Sequence, residues 1–201
     1  MDQVNALQIF RERLTRFITF TDEEWRLFNE NADFKTLHKK EFFIKEGEVC
    51  KEMAFIISGA VRFFHIKDGN DITNYFCFSN EYLSAYKSFL TGEPTVTNIQ
   101  ALEETELISI TQKEWQRLLA HPKLALKVER FGRLMAEHYL CCYEDRVTAF
   151  VTQSPEERYL DLLQTGKDVL QRIPQHYIAH YLGVTPVSLS RIRRRTLEIA
   201  R

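Results

Sequence analysis

Between Arg191 and Arg195 the chain reads RIRRR, four arginines in five positions. A guanidinium is permanently charged and offers its N–H donors in a planar fork. That geometry grips phosphate oxygens and reads the O6/N7 edge of guanine. The run sits in a biased stretch: from Arg172 to Arg201 there are six arginines, no lysine and one acid, Glu198, a net +5, while the other 171 residues sum to −6. The whole chain carries only −1, so any affinity for a polyanion belongs to this end. Arginines also collect at helix C-termini because of the helix dipole. The residues around them decide between the two readings.

Upstream lies IAHYLGVTPVSLS, starting at Ile178. Ile178, Ala179 and Leu182 fall on one helical face, Gly183 permits a sharp turn and Val184 plugs the corner. Thr185 then supplies a hydroxyl cap and Pro186 stands where a missing N–H costs nothing. Leu189 and Ile192 continue the apolar face. Two helices joined in this way predict a helix-turn-helix whose second helix enters the major groove of double-stranded DNA. With Leu189 and Ile192 inward, Pro186, Val187, Ser188, Arg191 and Arg195 face outward. Arg191 is placed to read guanine, and Ser188 a base edge or phosphate. Thr185, Arg193 and Arg194 are assigned to phosphates, where charge fixes register, and Arg195 mostly shares that role.

No other constellation competes. The sequence offers no nucleophile–base pair, phosphate-cradling glycine loop or paired-carboxylate site, so it is not read as an enzyme. Carboxylate clusters such as Asp22-Glu23-Glu24 and Glu156-Glu157 fall at helix starts, where they are solvated. The four cysteines (Cys50, Cys77, Cys141, Cys142) have no metal-ligand spacing and read as reduced, packed thiols. Neither metal nor cofactor is expected. With 44% hydrophobic and 27% charged residues the composition is that of an ordinary globular chain. No stretch reaches the roughly 18 apolar residues of a membrane span. The opening MDQVNALQIFRERL lacks the pattern of a signal peptide, which predicts a cytoplasmic protein.

The elements that must position the arginines divide the chain. A first helix and a second, opened by Thr21 with Glu24 in the capping-box position, precede a region rich in Phe, Ile, Val, Thr and Tyr from Phe34 to about Ile110. Its short apolar runs predict an antiparallel barrel or sandwich, with a hairpin turn at Asp68-Gly69. After a short helix capped by Thr111, a helix of some 28 residues is predicted with Pro122 at its first position. Leu124, Val128, Phe131, Met135, His138 and Cys142 recur on it at heptad-like spacing, widened by Leu134, Tyr139 and Val147. This seam predicts a homodimer interface. Ser154-Pro155 opens a terminal region of three helices, 155–165, 174–182 and 185–199. The domains are therefore expected at 1–120, 121–152 and 153–201.

This order of parts resembles the Crp/Fnr family of bacterial transcription regulators. IKEGEVCKEMAFIISGAVRFF is similar to the family's strand–turn–strand segment, with Gly47 and Gly59 at its corners, and IAHYLGVTPVSLSRIRR to its helix pair, with Arg191 matching the base-reading arginine. The resemblance implies an α+β fold: an N-terminal antiparallel β-roll with flanking helices, a long dimerisation helix and a C-terminal helix-turn-helix. It implies a homodimer on a pseudo-palindromic site with half-sites about 34 Å apart, and admits RNA polymerase as a further partner. No β-hairpin wing is evident after Arg195.

The sequence departs from the family at the effector pocket. Ser84-Ala85 stands where the Gly-Glu pair that holds a ribose is expected, and Thr95-Val96 near the Arg-Ser pair that holds a cyclic phosphate. No arginine occurs between Arg62 and Arg117, so the charge-assisted donor such a phosphate needs is missing. Tyr75, Ser84, Tyr86, Lys87, Thr95, Thr97, Asn98 and Tyr139 are expected to line the pocket. They imply a small-molecule effector other than cyclic AMP, or a filled core with none. A different reading of the whole chain is an interaction module whose helical end contacts a protein partner instead of DNA; the apolar Pro186 and Val187 favour it.

Overall fold

The computed structural model describes residues 2–199, so Arg201 of the basic end lies outside them. The chain divides into two compact units, Met1–Arg62 with Cys77–Leu140, and Phe63–Phe76 with Cys141–Arg201.

The first unit opens with α1 (Gln3–Leu14) and α2 (Asp22–Asn29), which bury Ala6, Phe10 and Leu14 and Trp25 and Phe28 respectively. The capping box read from the sequence starts α2: the Glu24 N–H donates to Thr21 Oγ1 and the Thr21 N–H to the Glu24 carboxylate. Eight strands follow: β1 (Asp33–Leu37), β2 (Phe42–Ile44), β3 (Glu52–Ser58), β4 (Ala60–Lys67), β5 (Asn70–Phe78), β6 (Tyr82–Leu83), β7 (Asn98–Ala101) and β8 (Thr105–Thr111). Helix α3 (Tyr86–Thr91) stands between β6 and β7. They form two four-stranded sheets, β1-β8-β3-β6 and β2-β7-β4-β5, in a jelly-roll-like arrangement. β3 and β8 pair antiparallel with Phe55 opposite Ile108, and each buries four consecutive residues. Both are covered on two faces, so the buried run of β3, Ala54–Ile57, is continuously apolar rather than alternating, and that of β8, Leu107–Ile110, is apolar but for the buried Ser109. The expected hairpin joins β4 to β5, with Asp68 (φ +52°) and Gly69 (φ +76°) both left-handed.

Aromatic rings bind the helices to the first sheet. Phe10 packs on Trp25, Phe28, Phe55 and Tyr82, with centroids 5.0–6.4 Å apart, and Tyr82 passes the contact to Phe131 at 5.7 Å. After α4 (Gln112–Leu119), capped by Thr111 as expected, comes the 28-residue helix α5 (Ala125–Thr152). It begins three residues later than Pro122. His121 makes the start instead: its carbonyl accepts from the Leu124 and Ala125 N–H groups, and its Nδ1 from that of Lys123.

The second unit holds the outer part of the β4–β5 hairpin, the end of α5, and α6 (Pro155–Thr165), α7 (Lys167–Arg172), α8 (Gln175–Tyr181) and α9 (Pro186–Ile199). The first helix read from the sequence ends at Thr165 as expected, and α7, which the reading left out, follows Gly166 at once. A Cβ on Gly166 would sit 2.3 Å from Leu162 Cδ1. Ser154 and Glu157 close a second capping box at the start of α6. Among the described residues, no helix is long and apolar enough to cross a membrane.

Candidate functional site

Helices α8 and α9 meet through the turn Leu182–Thr185. Ile178, Ala179, Leu182, Leu189 and Ile192 are all buried, as the pattern required, and pack the two helices together. Gly183 takes φ +72°. The Val184 N–H donates to the Ala179 carbonyl at 2.9 Å, tying the turn back to α8. Thr185 is the cap of α9: its Oγ1 accepts from the Ser188 N–H at 3.2 Å and pairs with the Ser188 hydroxyl at 3.0 Å.

The residues assigned to DNA divide by exposure. Thr185, Pro186, Val187, Arg191, Arg194 and Arg195 are exposed, and Ser188 and Arg193 half-buried. The spacing i, i+3, i+4, i+7 puts Val187, Ser190, Arg191 and Arg194 in one exposed stripe opposite Leu189 and Ile192. Ser190 was missing from the sequence assignment; a small serine carries no signal of its own, but its register with Val187 and Arg191 would have found it. Ser188 stands beside the stripe, its hydroxyl engaged with the cap. Arg195 leaves the stripe to pair with Glu156 of α6 at 3.4 Å, a contact open enough to be worth little.

Of the residues expected around an effector, Tyr75 belongs to the second unit, where its ring packs edge-on against Phe63. The other seven lie in the first. There Thr95 and Asn98 meet the turn Glu46–Glu48: the Gly47 N–H donates to the Thr95 carbonyl, the Thr95 N–H to that of Glu48, and the Glu46 N–H to Asn98 Oδ1. Ser84 donates to the Glu52 carbonyl at 3.1 Å and lies 3.4 Å from Cys50 Sγ. Thr95 Oγ1 accepts from the Thr97 N–H at 3.0 Å. The neighbouring Ser88 hydroxyl, just inside α3, accepts from the Cys50 N–H at 2.9 Å and donates to the Glu93 carbonyl at 2.5 Å. These hydroxyls are committed to the chain's own backbone. Lys87 points outward, its side chain 86% exposed and its ammonium 3.7 Å from Glu93. Tyr86 stacks on Phe89, and Tyr139 donates to the Tyr82 carbonyl at 2.8 Å. An open cleft of about 470 Å³ runs along Phe43, Ile44 and Glu48–Glu52, and none of the eight residues lines it.

The seam on α5 also divides. Leu124, Val128 and Phe131 are buried within the first unit, where Phe131 meets Trp115, Phe17 and Tyr82. Their own chain already covers them. Met135 and Cys142 are half-buried and His138 exposed. A different row on the same helix is open: Leu140, Tyr143, Val147 and Val151, with 44–79% exposure.

Residues 34–121 match the cyclic nucleotide-binding domain family. Among curated proteins none matches the sequence. Among solved structures, FixK2 from Bradyrhizobium japonicum aligns with a TM-score of 0.66 and 17% identity, over 84% of this chain and 86% of that one. CLP, the c-di-GMP responsive global regulator of Xanthomonas campestris, gives 0.65 and 14%, over 87% and 91%. A mutant of CooA from Carboxydothermus hydrogenoformans gives 0.63 and 17%, over 89% and 82%. The chain has the fold of these three proteins.

Proposed function

We propose that the protein is a dimeric, sequence-specific DNA-binding transcription regulator of the Crp/Fnr type. Residues 1–120 are its sensory domain, 121–152 its dimerisation helix and hinge, and 153–201 its helix-turn-helix. The observation that carries this reading is the exposed stripe Val187, Ser190, Arg191 and Arg194, on a capped helix held at a fixed turn to α8. Arg191 reads a base, Ser188 and Ser190 adjust to base edges or phosphates, and Thr185, Arg193, Arg194 and Arg195 hold the backbone. The dimer forms through the exposed row on α5, it binds a pseudo-palindromic site in the cytoplasm, and RNA polymerase is its further partner.

The effector is not cyclic AMP. An anionic phosphate requires a charged donor turned inward. Lys87 instead faces solvent, and Ser84, Ser88 and Thr95 spend their hydroxyls on internal bonds. An uncharged effector, or none, fits this arrangement.

The test is capture of genomic fragments by the purified protein, followed by binding measurements on the recovered site. Arg191→Ala is expected to cost about 1–3 kcal/mol and to relax preference at one base pair. Arg194→Ala should weaken binding to every sequence and reduce the salt slope by about one. A confirmed dimer that retains no fragment at low salt would end the proposal. Val187, 62% exposed on the same stripe, favours one other reading, in which this surface takes an acidic protein. In that case Arg191→Ala abolishes capture of the protein partner while DNA is never bound.

A further inference from the structure

Helix α8 ends in carbonyls that lack partners within the helix, as every helix does. Here two arginines from other helices take them. Arg146 of α5 donates from Nη2 to the Tyr181 carbonyl at 2.9 Å. Arg158 of α6 donates from Nε and Nη2 to the Leu182 carbonyl at 3.2 and 3.0 Å, and from Nη1 to the Gln153 carbonyl at 2.6 Å. Both also stack. The Arg146 guanidinium carbon lies 4.1 Å from the centre of the Tyr181 ring and 4.9 Å from that of Phe150, and the Arg158 carbon 4.6 Å from that of Phe150. Phe150 lies so close to Gly183 that a Cβ there would approach its Cε1 to 2.7 Å. From the hairpin, Phe76 closes on the Tyr181 ring at 5.4 Å.

Residues of α5, α6 and the hairpin therefore converge on Tyr181, Leu182 and Gly183, immediately before α9. Positive charge is favoured at a helix C-terminus, but two guanidinium groups this near repel, and burial opposes the charge on Arg146. An apolar plug would hold the helices together without that cost. Two planar forks on consecutive carbonyls add a fixed direction, since each hydrogen bond and each stacked ring is satisfied at one orientation of α8. Direction matters because of leverage. A helix of 14 residues such as α9 is about 21 Å long, so a tilt of about 10° moves its far end by nearly 4 Å, roughly one base-pair step.

Resting on the DNA-binding reading above, we propose that Arg146 is a positioning residue: with Phe150, Arg158 and Tyr181 it fixes the direction of α9 from the end of α5, and so sets the half-site spacing that the dimer accepts. It touches no DNA itself. Its effect is on geometry between two reading helices, and not on how well either one grips its half-site.

The experiment uses the full-length dimer and the site it captures. Binding is measured on that site, on versions with one base pair inserted or removed between the half-sites, and on a fragment with a single half-site. The wild type is expected to prefer its native spacing by at least about tenfold. Arg146→Gln should bind the single half-site as the wild type does, yet lose most of the spacing preference. Arg146→Lys should fall between, because it keeps the charge but not the fork. Tyr181→Leu, which removes the stacked ring and keeps the carbonyl, should shift spacing in the same direction and serves if Arg146→Gln does not fold. The proposal is overturned if the folded variants keep the wild-type spacing preference, or if single half-site binding falls as much as binding to the native site. Loss of all DNA binding in the wild type overturns the DNA-binding reading itself, and this proposal with it.

Discussion

Gly59→Ala is expected to cost roughly 3–5 kcal/mol of folding stability, from backbone strain and overpacking together. Gly59 turns the chain from β3 into β4 at φ +114°, a region L residues rarely enter. The clash is the larger part: an added Cβ would lie 2.6 Å from Thr105 Cα and 2.8 Å from the Glu104 carbonyl oxygen. Both are backbone atoms at the start of β8, so no side chain can swing away. Thr105 is fully buried, and its hydroxyl bridges both the N–H and the carbonyl of Ala60 at 3.3 Å. Relief of the clash therefore breaks the corner that joins the two sheets. Gly47→Ala is the control. Its φ of +88° carries a similar strain, but nothing stands within 4 Å of its Cβ position, so the cost should stay near 1–2 kcal/mol. Urea unfolding of both variants measures the difference, and equal losses would show that the close approach to Thr105 is not what the glycine serves. A domain holds only about 5–15 kcal/mol in all, so Gly59→Ala is expected to yield folded protein only at low temperature.

What the sequence could say was set by how local each feature is. The caps at Thr21, Thr111 and Ser154 were legible because donor and acceptor lie three residues apart. The turn at Gly183 was legible for the same reason. The α5 seam was not. An apolar stripe announces that something covers it, but Phe131 is covered by Phe17, more than a hundred residues away, and periodicity names no partner. The open row on the same helix contains a tyrosine and runs at spacings of 3, 4 and 4, so it was masked by the stronger stripe. The pocket residues are a different matter. Serine and threonine read as polar lining, yet such side chains readily bond to nearby backbone instead, as Ser84, Ser88 and Thr95 do. Short α7 carried too few residues for any period to register.

The division of α5 into a covered and an open row yields the second large effect. In a dimer with two-fold symmetry, residues near the axis meet their own copies. Val147→Glu puts two carboxylates opposite each other there, between Tyr143 and Val151 of both chains, in place of an apolar contact. Sedimentation should show a monomer with unchanged far-ultraviolet circular dichroism, because Val147 is 44% exposed in the single chain and its replacement disturbs no core. DNA affinity should drop by roughly 10²–10⁴, since the second half-site is no longer bound at the high effective concentration that the first supplies. Binding to a single half-site should be untouched. Val128→Glu makes the contrast: at 0% exposure its carboxylate has no route to water, so the variant should unfold rather than dissociate. Were Val147→Glu to remain dimeric with full affinity, the open row would not be the interface. A folded, monomeric Val128→Glu would return the interface to the seam that the aromatic rings of the first unit now cover.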